Sequence, residues 1–282
     1  MEFKKILIVG GGTMGSGIAQ VCAQKGMKVL LYDLKEDILK RALDSISWSV
    51  GKFIQKGKLK EDKDTIINRI KSVTELKEEV EADIVIEAVF EKLDIKLEVF
   101  KRLDEIVSDD TLLASNTSAI PITELASATN RPERIVGLHF FNPAPVMKLL
   151  EVVKTIATSD ETLELSREFG ESLGKTVVIA KDTPGFIVNR LLTPFTLNAI
   201  RMLEAEIASR DDIDNAIRLG LGHPMGPLQL ADMVGLDTIY YSANTRYEEL
   251  KEPQYAPPPL LKRMVKAGWL GRKTGRGFYE YE

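Results

Sequence analysis

Ile6-Leu7-Ile8-Val9-Gly10-Gly11-Gly12-Thr13-Met14-Gly15-Ser16-Gly17 runs four apolar residues straight into a glycine-rich turn. Gly10, Gly12 and Gly15 satisfy G-x-G-x-x-G, and a dinucleotide turn needs glycine at each for a tight bend, backbone approach to a pyrophosphate, and close packing of helix on strand. A helix begun at Thr13 aims its free N–H groups and positive end at phosphate, with Gly11 and Met14 in the same loop. Alone the pattern is weak, because such turns join many strands to helices. Its context strengthens it. The helix ends at Gly26, Val29-Leu30-Leu31-Tyr32 reads as a second strand, and Asp33 stands at its carboxyl end, where an acid binds adenosine ribose hydroxyls. Asp33 repels a 2′-phosphate by about 1 kcal/mol in water at about 4 Å, and by about 4 kcal/mol at an effective dielectric of roughly 20, so NAD is expected over NADP. Lys35 works against that preference, since an ammonium there offsets an extra phosphate.

Working outward, short β-branched runs alternate with amphipathic stretches. Candidate strands are Ile6–Val9, Val29–Tyr32, Asp83–Glu87, Leu112–Ala114, Ile135–Phe140, Leu149–Val153 and Thr176–Ile179. Several are apolar nearly throughout, as strands covered on both faces should be. The expected class is α/β: a doubly wound, Rossmann-type, mostly parallel sheet with a helical hairpin excursion, followed by an all-α C-terminal domain. The excursion covers Glu36 to about Arg69 and reads as an antiparallel helix pair turning near Gly57. From Pro184 the strand signal stops. Phe186–Ala208 has helical spacing, with Pro194 expected to kink it or limit its first part. Ser209-Arg210-Asp211-Asp212 caps a second helix through Leu219. A third starts near Gly226 and a fourth spans Pro259–Ala267, with Pro253 to Pro259 as an extended connector. The expected domains are 1–183, NAD-binding and Rossmann-like, and 184–282, helical, for substrate and dimerisation.

At 282 residues the chain has length for roughly two domains. A net charge of −4 argues against a nucleic-acid partner. No apolar run reaches the ~20 residues that span a bilayer, and residues 1–10 lack the features of a signal peptide. Cys22 is the single cysteine, inside a predicted helix, and reads as a small hydrophobe in a cytoplasmic protein. Two histidines and one cysteine offer no metal-ligand cluster.

His139 and His223 are those two histidines. His139 ends an apolar strand, and Glu151 lies on the returning segment. An imidazole there can move a proton near neutral pH while a carboxylate fixes its tautomer. On its own it reads equally well as a turn histidine. Ser118 by itself is a turn serine, and Asn189 by itself a helix-end asparagine.

Gly10–Gly15 with Asp33, Ser115-Asn116-Thr117-Ser118, Leu138-His139-Phe140-Phe141-Asn142-Pro143, Asp182-Thr183-Pro184-Gly185-Phe186-Ile187-Val188-Asn189-Arg190 and Gly271-Arg272-Lys273-Thr274-Gly275-Arg276-Gly277-Phe278-Tyr279 together resemble the L-3-hydroxyacyl-CoA dehydrogenase family. The resemblance runs from the first strand to the last motif, and the single-module length is similar to that of the bacterial 3-hydroxybutyryl-CoA dehydrogenases. It implies an enzyme that interconverts (S)-3-hydroxybutyryl-CoA, a short-chain 3-hydroxyacyl-CoA, and acetoacetyl-CoA, the 3-ketoacyl-CoA, by hydride transfer with NAD in fatty acid and butyrate metabolism. His139 would be the general acid–base, oriented by Glu151. Ser118 would hydrogen-bond the reacting oxygen, and Asn189 would position the substrate. The resemblance also implies cofactor contacts from Gly10, Gly11, Gly12, Thr13, Met14, Gly15, Asp33, Glu91, Lys96, Ser118, Asn142 and Lys273, and coenzyme A contacts from Ser49 and Lys56. Lys52, Lys56, Lys58 and Lys60 form either a patch for that polyanion or a solvated face. The implied partners are an acyl-CoA substrate and further copies of the chain, as a homodimer or higher homo-oligomer, with no nucleic acid and no membrane. Ala119 departs from the common Ser-Asn-Thr-Ser-Ser pattern, which removes a second hydroxyl near the site. Two rivals stand beside this: an enzyme of the same architecture that oxidises a small hydroxy acid or sugar phosphate, whose relatives often use lysine as the acid–base group, and a non-catalytic dinucleotide binder, which would lack the acid–base residues.

Overall fold

Ile6, Leu7, Ile8 and Val9 are all buried, because the strand they form is covered on both faces. The computed structural model describes residues 3–282, so Met1 and Glu2 of the segment read against a signal peptide lie outside the described residues. The chain divides into two units, Met1–Phe186 and Ile187–Glu282. The first runs β1 (Lys5–Val9), α1 (Thr13–Gln24), β2 (Lys28–Tyr32), α2 (Glu36–Gln55), α3 (Lys63–Ile67), β3 (Ile70–Val73), β4 (Ile84–Glu87), α4 (Leu93–Ile106), β5 (Leu112–Ser115), α5 (Ile122–Ala126), β6 (Ile135–Phe140), β7 (Leu149–Lys154), α6 (Asp160–Ser172) and β8 (Thr176–Lys181).

All eight strands share one sheet in the order β3-β2-β1-β4-β5-β6-β7-β8. Every neighbouring pair is parallel except β6 and β7. Chain order reverses at β1, between β2 and β4, which is where doubly wound sheets open a ligand crevice. Alternate residues feed two cores: Ile6 and Ile8 pack with Ile18, Leu39 and Ile46 on one face, Leu7 and Val9 with Phe100 and Leu125 on the other. Cys22 is buried in the first, and burial pushes its thiol up to about 12.

The excursion differs from the expected helix pair. α2 buries Leu39, Ala42, Ile46 and Val50 at helical spacing, and the chain turns at Gly57, whose φ is +67°. The return is only the five-residue α3, capped by the Asp62 carboxylate accepting from the N–H groups of Asp64 (3.0 Å) and Thr65 (3.1 Å). Lys60-Glu61-Asp62-Lys63-Asp64 has no apolar residue with which to bury a helix face, and Ile66 alone of α3 is buried. β3, unexpected from the sequence, then pairs in parallel with β2 at the sheet edge.

The second unit is helical: α7 (Val188–Glu204), α8 (Arg210–Gly220), α9 (Pro227–Val234), α10 (Leu236–Leu250) and α11 (Pro259–Lys266). Leu197, Ile200, Leu228, Leu236 and Leu261 form its core. Pro194 lies inside α7, where it cannot donate to the carbonyl of Arg190. The buried Tyr255 donates its hydroxyl to that carbonyl instead, at 3.2 Å. Ser209 caps α8 by accepting from Asp212 N. The single helix expected from Gly226 is two, broken at Gly235 with φ +104°. The Gly-Phe-Tyr ending folds onto the buried Asp232, which accepts from the N–H groups of Phe278 (2.9 Å) and Tyr279 (2.8 Å). No helix among the described residues is long and apolar enough to cross a membrane.

Candidate active site

The glycine turn closes against its own sheet. Gly10 has φ +109°, and a Cβ there would lie 2.6 Å from the Ala88 carbonyl oxygen; at Gly15 it would lie 1.8 Å from that of Gly10. A Cβ at Gly12 meets nothing within 4 Å, so this residue faces open space at the start of α1. α1 has no side-chain cap, which leaves its first-turn N–H groups directed into that space. These observations fit a pyrophosphate. Asp33 follows β2, and its Oδ2 accepts from Gly11 N at 2.8 Å while Oδ1 accepts from Lys35 N at 3.1 Å. That ties the acid to the turn. The adjoining cleft of about 440 Å³ is walled by Gly12, Thr13, Asp33, Leu34, Ile38 and Phe90. Leu34 and Phe90 expose large apolar side chains there, a role not evident in the sequence because neither belongs to a periodic run.

Across the switch point, β4 ends in a charge. Glu87 is fully buried beside the Lys96 ammonium (Nζ to Oε1, 2.6 Å) and accepts from Ser115 Oγ (2.6 Å) and Val89 N (2.7 Å). Lys96 also reaches Glu91 at 3.2 Å. Glu91 in turn gathers the loop after β5: its Oε1 accepts from Thr117 Oγ1 (2.5 Å), Ser118 N (2.9 Å) and Ala119 N (3.2 Å). Partial burial pushes the Glu91 carboxyl up, but Lys96 and the hydrogen bonds from Thr117 and Ser118 outweigh it and hold the pKa below the ordinary carboxylate value. The loop is held at its far end as well, where Asp182 accepts from the N–H groups of Ile122 (3.0 Å) and Thr123 (2.7 Å). Glu87 was not expected here, its one signal being an acid closing the otherwise apolar Ile84-Val85-Ile86; Ser115 and Asp182 stood in the sequence only as members of longer motifs, with no role given to either.

His139 and Glu151 are cross-strand partners in the antiparallel β6–β7 pair. Nδ1 of His139 lies 2.6 Å from Glu151 Oε2, with both residues buried. The imidazole is flanked by Phe141 and Phe186, with ring centroids at 4.6 and 5.4 Å. With Glu151 ionised, Nδ1–H donates to the carboxylate and Nε2 keeps its lone pair. Ser49 and Asn142 line one cleft of about 490 Å³ together with Gly12, Thr13, Arg41 and Trp48. Lys56 is exposed and follows α2 as its C-cap. In the second unit, Asn189 lies in the first turn of α7, and the Lys273 ammonium pairs with Asp237 at 2.6 Å.

A dinucleotide cradle on a doubly wound sheet places the chain in the class of pyridine-nucleotide dehydrogenases. Comparison with known proteins gives the family. Residues 5–183 match the 3-hydroxyacyl-CoA dehydrogenase NAD binding domain, and residues 185–281 match the 3-hydroxyacyl-CoA dehydrogenase C-terminal domain. The chain is 47% identical over 283 residues to the probable 3-hydroxybutyryl-CoA dehydrogenase of Bacillus subtilis, covering 100% of this chain and 99% of that protein. It resembles the crystal structure of FadB2 from M. tuberculosis with a TM-score of 0.96 at 46% identity. It likewise resembles that of (S)-3-hydroxybutyryl-CoA dehydrogenase PaaH1 from Ralstonia eutropha, with a TM-score of 0.95 at 44% identity. Both alignments cover 100% of each chain. The chain belongs to the 3-hydroxyacyl-CoA dehydrogenase family and is an NAD-dependent oxidoreductase.

Proposed function

We propose that this chain interconverts (S)-3-hydroxybutyryl-CoA and acetoacetyl-CoA, with His139 as general acid–base. The observation that carries the proposal is the buried 2.6 Å contact between His139 Nδ1 and Glu151. Because Glu151 engages Nδ1, the proton-transfer work falls to Nε2. In the oxidative direction Nε2 takes the proton of the 3-hydroxyl as the C3–H bond breaks; in reduction the imidazolium returns it to the forming alkoxide. Glu151 favours the imidazolium that forms, by charge and by hydrogen bond. Ser118 donates to the reacting oxygen, and Asn189 orients the substrate. The nicotinamide, when bound, supplies the two-electron acceptor or donor. Gly10–Gly15 would hold its pyrophosphate, Asp33 its adenosine ribose, and Glu91, Lys96, Asn142 and Lys273 its ribose and nicotinamide end. Ser49 and Lys56 would hold coenzyme A.

Four-carbon thioesters are favoured because full-length relatives at 42–47% identity carry 3-hydroxybutyryl-CoA in their names. Leu191, Ile207, Leu219 and Leu221 expose apolar side chains in the second unit, which supports a homo-oligomer. The test is a panel of NADH and NADPH against 3-ketoacyl-CoA thioesters of increasing chain length. NADH oxidation with acetoacetyl-CoA is the expected result; no turnover on any thioester overturns the proposal.

A further inference from the structure

Asn116 is where strand pairing passes from backbone to side chain. β5 and β6 pair through Leu113↔Ile135, Ala114↔Val136 and Ser115↔Gly137, and the ladder stops there. On its other side residue 116 still pairs with β4, its N–H donating to the Glu87 carbonyl at 2.8 Å. β6 runs on for three more residues, held along its far edge by β7 through Leu138↔Val152, His139↔Glu151 and Phe140↔Leu150. Its near edge has lost its strand. There the Phe140 N–H donates to the Asn116 side-chain oxygen, Oδ1, at 3.0 Å. Phe140 is buried, so without that acceptor its N–H would be stranded away from water.

We infer that Asn116 is a positioning residue, a side-chain splice that sets His139 relative to Ser118; this rests on the reaction proposed above. His139 immediately precedes the residue that Asn116 holds, and Ser118 follows Asn116 by two. The same loop is fixed beyond the splice by Glu91, through Thr117, Ser118 and Ala119. Its geometry therefore has two anchors, one to β6 and one to the buried ion-pair network. Cutting the first lets the tip of β6 move against a loop that stays held. A displacement of about 1 Å between reacting groups costs on the order of 100-fold in rate. The splice needs an acceptor at amide length: aspartate supplies one, serine is too short, and alanine has none.

The test uses the full-length protein and two readouts, amide hydrogen exchange by NMR and steady-state kinetics with NADH and acetoacetyl-CoA. In Asn116→Ala the Phe140 amide is expected to exchange on the order of 10-fold faster, with Val152 on the partner strand unchanged. kcat should fall by roughly 10- to 100-fold while NADH affinity, read by fluorescence titration, is kept. Asn116→Asp should restore Phe140 protection and most of kcat. If the alanine variant does not fold, Asn116→Ser carries the same prediction. Unchanged Phe140 exchange in the alanine or serine variant overturns the splice whatever the kinetics. Faster exchange with wild-type kcat overturns the positioning role. Absence of turnover by the wild-type protein sinks the proposed reaction, and the exchange result alone then decides the splice.

Discussion

Tyr255 donates to the carbonyl of Arg190, 65 residues away in sequence, at the acceptor Pro194 leaves without an N–H. A helix interrupted by proline thus recovers its missing bond from outside. Tyr255→Phe should cost about 1 kcal/mol, the net worth of a part-buried hydrogen bond, measured by urea unfolding. In a Pro194→Ala background, where residue 194 can donate again, the same change should cost clearly less. Equal cost in both backgrounds would refute the substitution of hydroxyl for amide.

Gly12 and Gly15 should respond in opposite ways to the same methyl group. Gly12→Ala places a Cβ in open space, so the melting temperature should hold while NADH affinity falls at least about 10-fold, or roughly 1.4 kcal/mol. Gly15→Ala drives a Cβ to 1.8 Å from the Gly10 carbonyl oxygen and should lower the melting temperature itself. Fluorescence titration and thermal melts on both variants decide between a cradle and a packing site at Gly12.

His139→Ala should lower kcat by about 10²- to 10⁴-fold with NADH binding preserved. Glu151→Gln keeps a hydrogen-bonding group but no longer favours the imidazolium, and should lower kcat by at least about 10-fold. A Gln variant as active as the parent would remove Glu151 from the proton path.

Asp104 and Arg131 give a stability that depends on pH. Their side chains meet at 2.6 Å, and both are nearly fully buried. Burial pushes the Asp104 carboxyl up, but the Arg131 guanidinium and the Asn130 hydrogen bonds outweigh it and set its pKa below the usual carboxylate value. A carboxyl depressed in the folded state stabilises above its unfolded value of about 4, and that contribution is lost as pH falls through the lower folded value. Asp104→Asn should therefore cost about 3 kcal/mol at neutral pH, with the gap to the parent closing below about pH 4. Urea unfolding at pH 7 and pH 3 measures both; a gap independent of pH contradicts the assignment.

What the sequence discloses follows from the range of the forces involved. The glycine turn, Asp33 and the apolar strands are local patterns, and all were legible. His139 and Glu151 were legible as a pair because twelve residues suit two strands joined by a turn. β3 was not, since Ile70-Lys71-Ser72-Val73 is short and has one buried side chain at a sheet edge. The clamp of Asp182 on Thr123 spans 59 residues and that of Glu91 on Thr117 spans 26, so no periodicity announces either. Asn116 was visible within a motif, but its partner follows from where β5 and β6 part.

The His139–Glu151 pairing has a consequence for how the sheet assembles. Side chains alternate faces along a strand, so sliding β7 by one residue against β6 would turn Glu151 away from the imidazole and set it among the positions now held by Leu150 and Val152. A buried carboxylate without a partner is too costly to keep. The buried His139–Glu151 contact thereby also proofreads the strand register, and a misaligned sheet is disfavoured.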